Sequence, residues 1–194
     1  MNLDFSNIST LAKYKILSNA ITPRPIAWVS SVSAQGVINL APFSFFAPIS
    51  SDPVVFSLCL SLKSDGELKD TLKNALSEKK ATICMCESKN LKAMHLSSKE
   101  LEFSQSEAVE FDIKMQSITP EYPPVPEGTQ VAFFCEFFDL LEIGKSTKTL
   151  LLEAKGIFIS DEIYNEELNF RLHNVGRVGK EYQISQQCID PKIL

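Results

Sequence analysis

Residues Pro23–Phe46 read PRPIAWVSSVSAQGVINLAPFSFF. Two strand-like runs, Ile26–Val32 and Val37–Phe46, flank a Gln35-Gly36 turn. The second run carries Asn39, Pro42 and Ser44 among its apolar residues. A strand with an internal proline belongs at a sheet edge, where backbone N–H and C=O groups lie outside any ladder. Such groups suit the polar rim of a flat heterocycle, and neighbouring aromatics suit its faces. The pattern predicts a ligand-binding hairpin.

Outward from this hairpin the chain reads as mainly β with peripheral helices. Upstream, Asn7–Ala20 holds a short helix capped by Ser9 or Thr10, with Leu11, Tyr14, Ile16 and Leu17 as its apolar face. Downstream, Asp52-Pro53 starts a turn. Val54–Leu62 then alternates, with Val54, Phe56, Leu58, Leu60 and Leu62 on one face and Ser57, Cys59 and Ser61 on the other. Leu68, Leu72, Ala75 and Leu76 fall at helical spacing within Glu67–Lys79. That helix begins either in a Ser64/Glu67 capping box or later, at Asp70 or Thr71. Ala81–Cys86 predicts a strand and Ser88–Leu96 a helix, and the polar stretch Ser97–Glu110 reads as a surface excursion. Thr119–Gly128 (TPEYPPVPEG) sustains neither helix nor central strand. It reads as an extended connection, a plain linker or a binding element. Val131–Glu142 and Thr149–Ser160 predict a long hairpin around Gly144-Lys145-Ser146. In it, Ala132–Phe138 is apolar on both faces and requires cover on each, from its own domain or a partner subunit.

A chain of 194 residues buries about 70% of its unfolded surface, enough for one domain, here 1–194, without staples. Its net charge of −5 argues against nucleic acid or an anionic membrane as partner. No apolar run reaches spanning length. The N-terminal MNLDFSNISTLAKYK lacks the layout of a signal peptide. Of the five cysteines, Cys59, Cys84, Cys86 and Cys135 sit in apolar strand-like runs, as packed thiols of a reducing compartment do. The expected location is cytoplasmic. Cys84-Met85-Cys86 places two thiols on one strand face, but no second pair or nearby histidine completes a zinc set. His95 and His173 are the only histidines, so no His-rich metal site is expected.

PRPIAWVSSVSAQGVINLAPFSFF, SSDPVVFSL and LKDTLKN together resemble the flavin reductase-like proteins, which bind FMN in a split β-barrel. The family order is an Arg-Pro strand, a Gly turn, an Asn-x-Ala-Pro-x-Ser strand, a Ser/Asp-Pro turn and a Lys-Asp-Thr helix start, and all five elements occur between Pro23 and Asn74. Val175–Tyr182 is similar to a glycine-bearing, Tyr-ending segment near the family's C-terminus, with Lys180 where many relatives place a second glycine. The resemblance covers most of the chain except Ser97–Gly128.

It implies a site as follows. A dianionic phosphate favours helix N-terminal amides and a nearby cation. Lys69 and Thr71 supply an ammonium, a hydroxyl and free amides, with Ser61 and Lys63 just upstream. The plainer reading makes Lys69 a solvated charge and Asp70-Thr71 a cap; the resemblance favours phosphate contact. Asn39, Ala41, Pro42 and Ser44 would meet the flavin's polar edge, with Phe43, Phe45 or Phe46 along its face, although a Phe-rich strand is also ordinary core. Arg24, held between two prolines, is either a partner for anionic flavin or phosphate, or an exposed strand-end charge. Trp28, sharing a strand face with Ser30, is ring contact or core anchor. His173 and Tyr182 are candidates for closing the site from a late segment, or structural.

The implied activity is that of an FMN-binding oxidoreductase, an NAD(P)H-dependent flavin reductase or a flavoredoxin-like electron carrier with an unspecified acceptor. The absence of a GxGxxG fingerprint fits, because nicotinamide stacking on a flavin needs no Rossmann domain. A non-catalytic flavin carrier or sensor, and a structural barrel with a degenerate site, are the alternatives. One phosphate-type site favours FMN over FAD. The doubly apolar Val131–Phe138 run and the resemblance both point to a homodimer with flavin near the interface.

Overall fold

The computed structural model describes residues 2–144 and 147–184. Lys145, Ser146 and Cys188 lie outside them. The helices are α1 (Thr10–Ala20), α2 (Asp70–Glu78), α3 (Leu91–Leu96) and α4 (Glu107–Glu110). The strands are β1 (Arg24–Pro25), β2 (Ala27–Val32), β3 (Ile38–Phe43), β4 (Phe46–Ser51), β5 (Val54–Ser61), β6 (Lys80–Met85), β7 (Met115–Gln116), β8 (Val125–Pro126), β9 (Val131–Leu141), β10 (Thr147–Ile159), β11 (Val175–Val178) and β12 (Glu181–Ile184).

One antiparallel sheet runs in the order β3-β2-β6-β9-β10-β5-β4. Its two edge strands, β3 and β4, are joined through only Ser44 and Phe45. First and last strands so connected force the sheet to curl on itself, yet they do not pair, and the result is a split β-barrel. The expected strand Val37–Phe46 therefore breaks at Ser44, and Phe46 begins the far edge. β3 and β2 pair in register from Ile38↔Val32 to Phe43↔Ala27, around a turn in which Gly36 takes a positive φ of 80°.

The barrel interior is packed by Val29, Leu58, Leu60, Ile83, Leu150 and Leu152, and Leu72 and Ala75 of α2 join them. A second cluster covers the outer face of β3, β2, β6 and β9 and includes Trp28, Leu40, Cys84, Met94, Val125 and Ala132. Central strands are thus buried on both sides, which is why β2 reads as a nearly unbroken buried run.

Three sequence readings change here. The Pro-rich stretch is no plain linker. Its β8 pairs with β7, the Pro123 carbonyl accepts from Thr82 Oγ1 at 2.7 Å, and Tyr122 packs on Phe134 with ring centroids 5.4 Å apart. This segment supplies the second cover for the front half of β9, leaving Phe138 exposed at 49%. The surface excursion contains α4, whose Glu107 and Ala108 are buried. Helix α1 is capped by Ser9, which accepts from the Ala12 N–H at 3.2 Å, but of its expected apolar face Leu11 and Leu17 are exposed, Tyr14 is half-covered by Phe45, Ile16 is half-buried, and only Ser18 is fully buried. Among the described residues no helix is long and apolar enough to cross a membrane.

Close to the N-terminal side, β11 pairs with β1 and with β12. Gly176 is needed there: a Cβ would stand 2.6 Å from Pro23 Cβ. The departure at Lys180 falls in the turn between β11 and β12, where Gly179 holds a positive φ of 50°.

Candidate functional site

A cavity of about 310 Å³ opens where the barrel splits. Its walls come from β3 and the Ser44-Phe45 link, from Cys59 and Ser61 on β5, from the start of α2, and from the 97–101 loop. Tyr14 and Phe45 stack at its margin, centroids 5.6 Å apart and planes 20° from parallel.

The β3 edge explains the proline. The Leu40 N–H points away from β2 and donates to Glu107 Oε2 at 2.9 Å. Pro42, two residues on, falls on the same outer side, where no ladder donor is required. Beneath it, Asn39 Nδ2 donates to Thr71 Oγ1 (2.8 Å) and Ser31 Oγ (3.2 Å), and Asn74 Nδ2 donates to Ser31 Oγ (3.1 Å). All four side chains are buried. This network locks the strand edge to the first turn of α2.

That first turn has Lys69 as its N-cap residue, with no side-chain cap bond. The start is the later of the two expected, at Asp70, and no side chain caps its leading amides. They are free to meet an anion. Two ion pairs border them. Lys63 Nζ lies 2.7 Å from Asp70 Oδ2 and also donates to the Leu101 carbonyl at 3.2 Å. Lys69 Nζ pairs with Glu100, which also accepts from the Ser64 N–H at 3.3 Å. The hydrogen bond from Lys69, then the bonds from Ser64, hold the Glu100 carboxyl down to about 2. Burial pushes the Glu107 carboxyl up, against the Leu40 N–H, which favours its charged form. Asp70 Oδ1 is buried without a partner.

Asn39, Ala41, Pro42, Phe43, Ser44, Ser61, Lys63, Lys69 and Thr71 all line this one cavity. Arg24, Trp28, Ser30 and His173 do not. Trp28 is a core residue, 1% exposed, whose Nε1 donates to Ser97 Oγ at 2.9 Å, so it steadies the cavity rim from behind. Ser30 Oγ is buried without a partner; its neighbour Ser31 is the one that reaches the network. Arg24 is buried rather than exposed, with Nη1 donating to the Ser18 carbonyl and to the Ile21 carbonyl at 3.3 Å. His173 is exposed, and its carbonyl accepts from the Ser88 N–H at 3.2 Å. Tyr182 lines an adjoining recess. Glu100 and Glu107 lie in the stretch read as a surface excursion. The scattered apolar residues Leu101, Phe103 and Ala108 were the available hint that part of it turns inward; Leu101 lines the cavity and Ala108 is buried.

A Flavin reductase like domain matches residues 19–172. The chain belongs to the flavin reductase-like family. Over 180 residues this flavin reductase-like chain is 31% identical to a protein of Aquifex aeolicus, covering 88% of each. It superposes on nitrilotriacetate monooxygenase component B from Bacillus cereus with a TM-score of 0.89 at 20% identity, over 98% of both chains. On the 2-nitrobenzoate 2-nitroreductase of Pseudomonas fluorescens the score is 0.87 at 24% identity, over 100% of this chain and 98% of that one. These two likenesses are of fold.

Proposed function

We propose that the chain is an FMN-dependent oxidoreductase, acting as one domain over 1–194, which accepts electrons from NADH or NADPH and passes them to an acceptor. The observation that carries this is the juxtaposition of an uncapped α2 start with the proline-bearing edge of β3, tied together by the 2.8 Å Asn39–Thr71 bond. An anion-seeking helix end and a polar, aromatic-flanked strand edge share one cavity, as a flat ring on a phosphorylated chain requires.

In this reading the Asp70 and Thr71 amides and Lys69 hold the phosphate, with Ser61 and Lys63 beside them. Glu100 would have to release Lys69 for it to meet the phosphate. Asn39, Ala41, Pro42 and Ser44 meet the polar rim of the ring, and Phe43 and Phe45 lie against its faces. Bound flavin supplies the two-electron chemistry, and the protein supplies position and field. Trp28, through its bond to Ser97, would hold the rim of the cavity in place for the ring. The buried thiols suit a reducing compartment, which we take to be the cytoplasm.

A homodimer belongs to the proposal, with a changed motive. The 115–126 segment already covers β9, but Leu3, Phe5, Leu11, Tyr14 and Leu17 of the N-terminal segment and α1 are exposed, and Tyr14 lines the cavity. Pairing there would bring the sites close to the interface.

A visible spectrum of the purified protein, then bleaching by NADH or NADPH, tests the function. No flavin uptake on adding FMN leaves an empty barrel, and uptake without bleaching leaves a carrier or sensor. Mass analysis of released cofactor separates FMN from FAD. Light scattering across a dilution series tests the dimer: a stable monomer with full occupancy removes it.

A further inference from the structure

Beside the main cavity lies a recess of about 200 Å³ that shares Tyr14, Pro42, Ser44 and Ser98 with it. The two are contiguous. Ile26 and Met94 give the recess an apolar floor, and His95, Arg177 and Tyr182 a polar rim. His95 Nδ1 stands 2.9 Å from the Tyr182 hydroxyl. The Arg177 guanidinium lies over the Tyr182 ring, 4.4 Å from its centroid, with Nε donating to the Gly179 carbonyl at 3.3 Å. Arg177 and Tyr182 lie beyond residues 19–172, the span matched by the family.

The charge on this wall is unbalanced. Among the described residues no carboxylate forms an ion pair with Arg177 or Arg24. These two arginines are direct partners across the β1–β11 pairing. Arg24 is 5% exposed, and its Nε and Nη2 have no hydrogen-bond partner. Burial lowers its pKa and the nearby Arg177 lowers it further, while Tyr14 opposes both. Arg177 lines the recess, and the buried Arg24, which lines neither cavity, adds positive charge behind it; with no carboxylate paired to either among the described residues, the Arg177 wall of the recess suits an anion. A guanidinium fork anchored by stacking meets a planar oxyanion with two parallel N–H donors. The recess is smaller than the roughly 300 Å³ at which pockets for drug-sized ligands begin, so it takes one ring, not a dinucleotide.

We propose that this annex binds a single-ring aromatic carboxylate. The carboxylate sits on Arg177 and the Tyr182–His95 pair, and the ring lies over Ile26 and Met94 with its far edge at Pro42 and Ser44. Its role as the subsite for the molecule that the flavin reduces rests on the function proposed above; the binding itself does not.

The probe is 4-fluorobenzoate, followed by fluorine NMR on the full chain with and without FMN, with the fluorescence of the single tryptophan, Trp28, as a second signal. Binding is expected in both states, at least tenfold weaker in Arg177→Met and unchanged in Lys69→Ala. Tyr182→Phe, which keeps the stacking and removes only the hydroxyl, should weaken binding about threefold with an unaltered melting curve. 4-Fluorobenzamide should bind at least tenfold more weakly than the carboxylate. Displacement of the probe by FMN, equal loss in Lys69→Ala, or full competition by equimolar inorganic phosphate would overturn the annex. Arg177-dependent binding in a protein that takes up no flavin would leave the annex standing and remove the flavin function instead.

Discussion

The two halves of the Lys69–Glu100 ion pair should respond to mutation in opposite directions. Side-chain exposures of 25% and 38% place the pair near the surface, where such bridges are worth about 0.2–1 kcal/mol. A phosphate arriving at the α2 start must displace Glu100, so Glu100→Gln should tighten FMN by up to about fivefold, using about 1.4 kcal/mol per tenfold. Lys69→Ala removes a charge-assisted bond of about 1.5–3 kcal/mol and should weaken FMN by about 10–150-fold. In the double variant the gain disappears, because it arises only from freeing Lys69. Riboflavin, lacking the phosphate, should change less than about twofold throughout, the scatter expected of a neutral contact. Salt shrinks both effects. Since the Glu100 carboxyl is held down to about 2, it stays ionised across neutral pH, and the pair's contribution is lost only as pH falls toward that value. Calorimetric titration of FMN and riboflavin into the four proteins measures all of this. Equal losses for both ligands in Lys69→Ala, or weaker FMN in Glu100→Gln, would refute the reasoning.

Phe134→Ala should cost about 3–4 kcal/mol in urea unfolding, because Phe134 is 7% exposed beneath Tyr122; a near-neutral result would mean the 115–126 segment does not cover β9. Burial raises the Glu107 pKa, so between the ordinary glutamate range and that raised value the native state holds a proton that the unfolded chain has released. Stability then falls as pH rises through this window, and Glu107→Gln, which still accepts from the Leu40 N–H, should flatten that fall. Among the thiols described, Cys59 alone is half-buried and lines the cavity, whereas burial pushes Cys86 and Cys135 up to about 12. Peptide mapping after brief alkylation should find Cys59 modified before those two and protected by FMN, with Cys188 resolved as a separate peptide.

Much of the barrel was legible because its signals are local. A proline inside an apolar run marks an edge, and β3 is an edge. Alternation across Val54–Leu62 marks a half-buried strand, and from Phe56 on β5 alternates as read, whereas at its start Val54 is exposed and Val55 buried. Two features escaped for opposite reasons. Val37–Phe46 looks continuous because Ser44 and Phe45 are compatible with a strand; only the closure of the sheet dictates a break there. Helix α1 has the spacing of an amphipathic helix, but spacing does not say whether a partner element exists. Here Ser18 and its carbonyl, which accepts from Arg24 and from the Gly179 N–H, face inward, whereas Leu11 and Leu17 are exposed, Ile16 is half-buried and Tyr14 packs on Phe45 at the cavity margin.

The site shows the same division between local and distant causes. Lys69, Thr71 and Asn39 were readable because helix starts and strand edges expose backbone groups in predictable places. Which partners they hold was not readable. Thr71 is engaged by Asn39 across 32 residues of chain and Lys69 by Glu100 across 31. Ion pairs between segments so far apart leave no periodicity in the sequence, and a polar stretch such as Ser97–Glu110 looks alike whether its carboxylates point outward or into a cavity. The consequence for function is specific. With Lys63 committed to Asp70 and Lys69 to Glu100, the phosphate end of the cavity carries paired charge, and Arg177, without a carboxylate partner among the described residues, stands in the recess that shares Pro42 and Ser44 with it. An anion entering the molecule is therefore offered two positions, one that must exchange a carboxylate and one that need not.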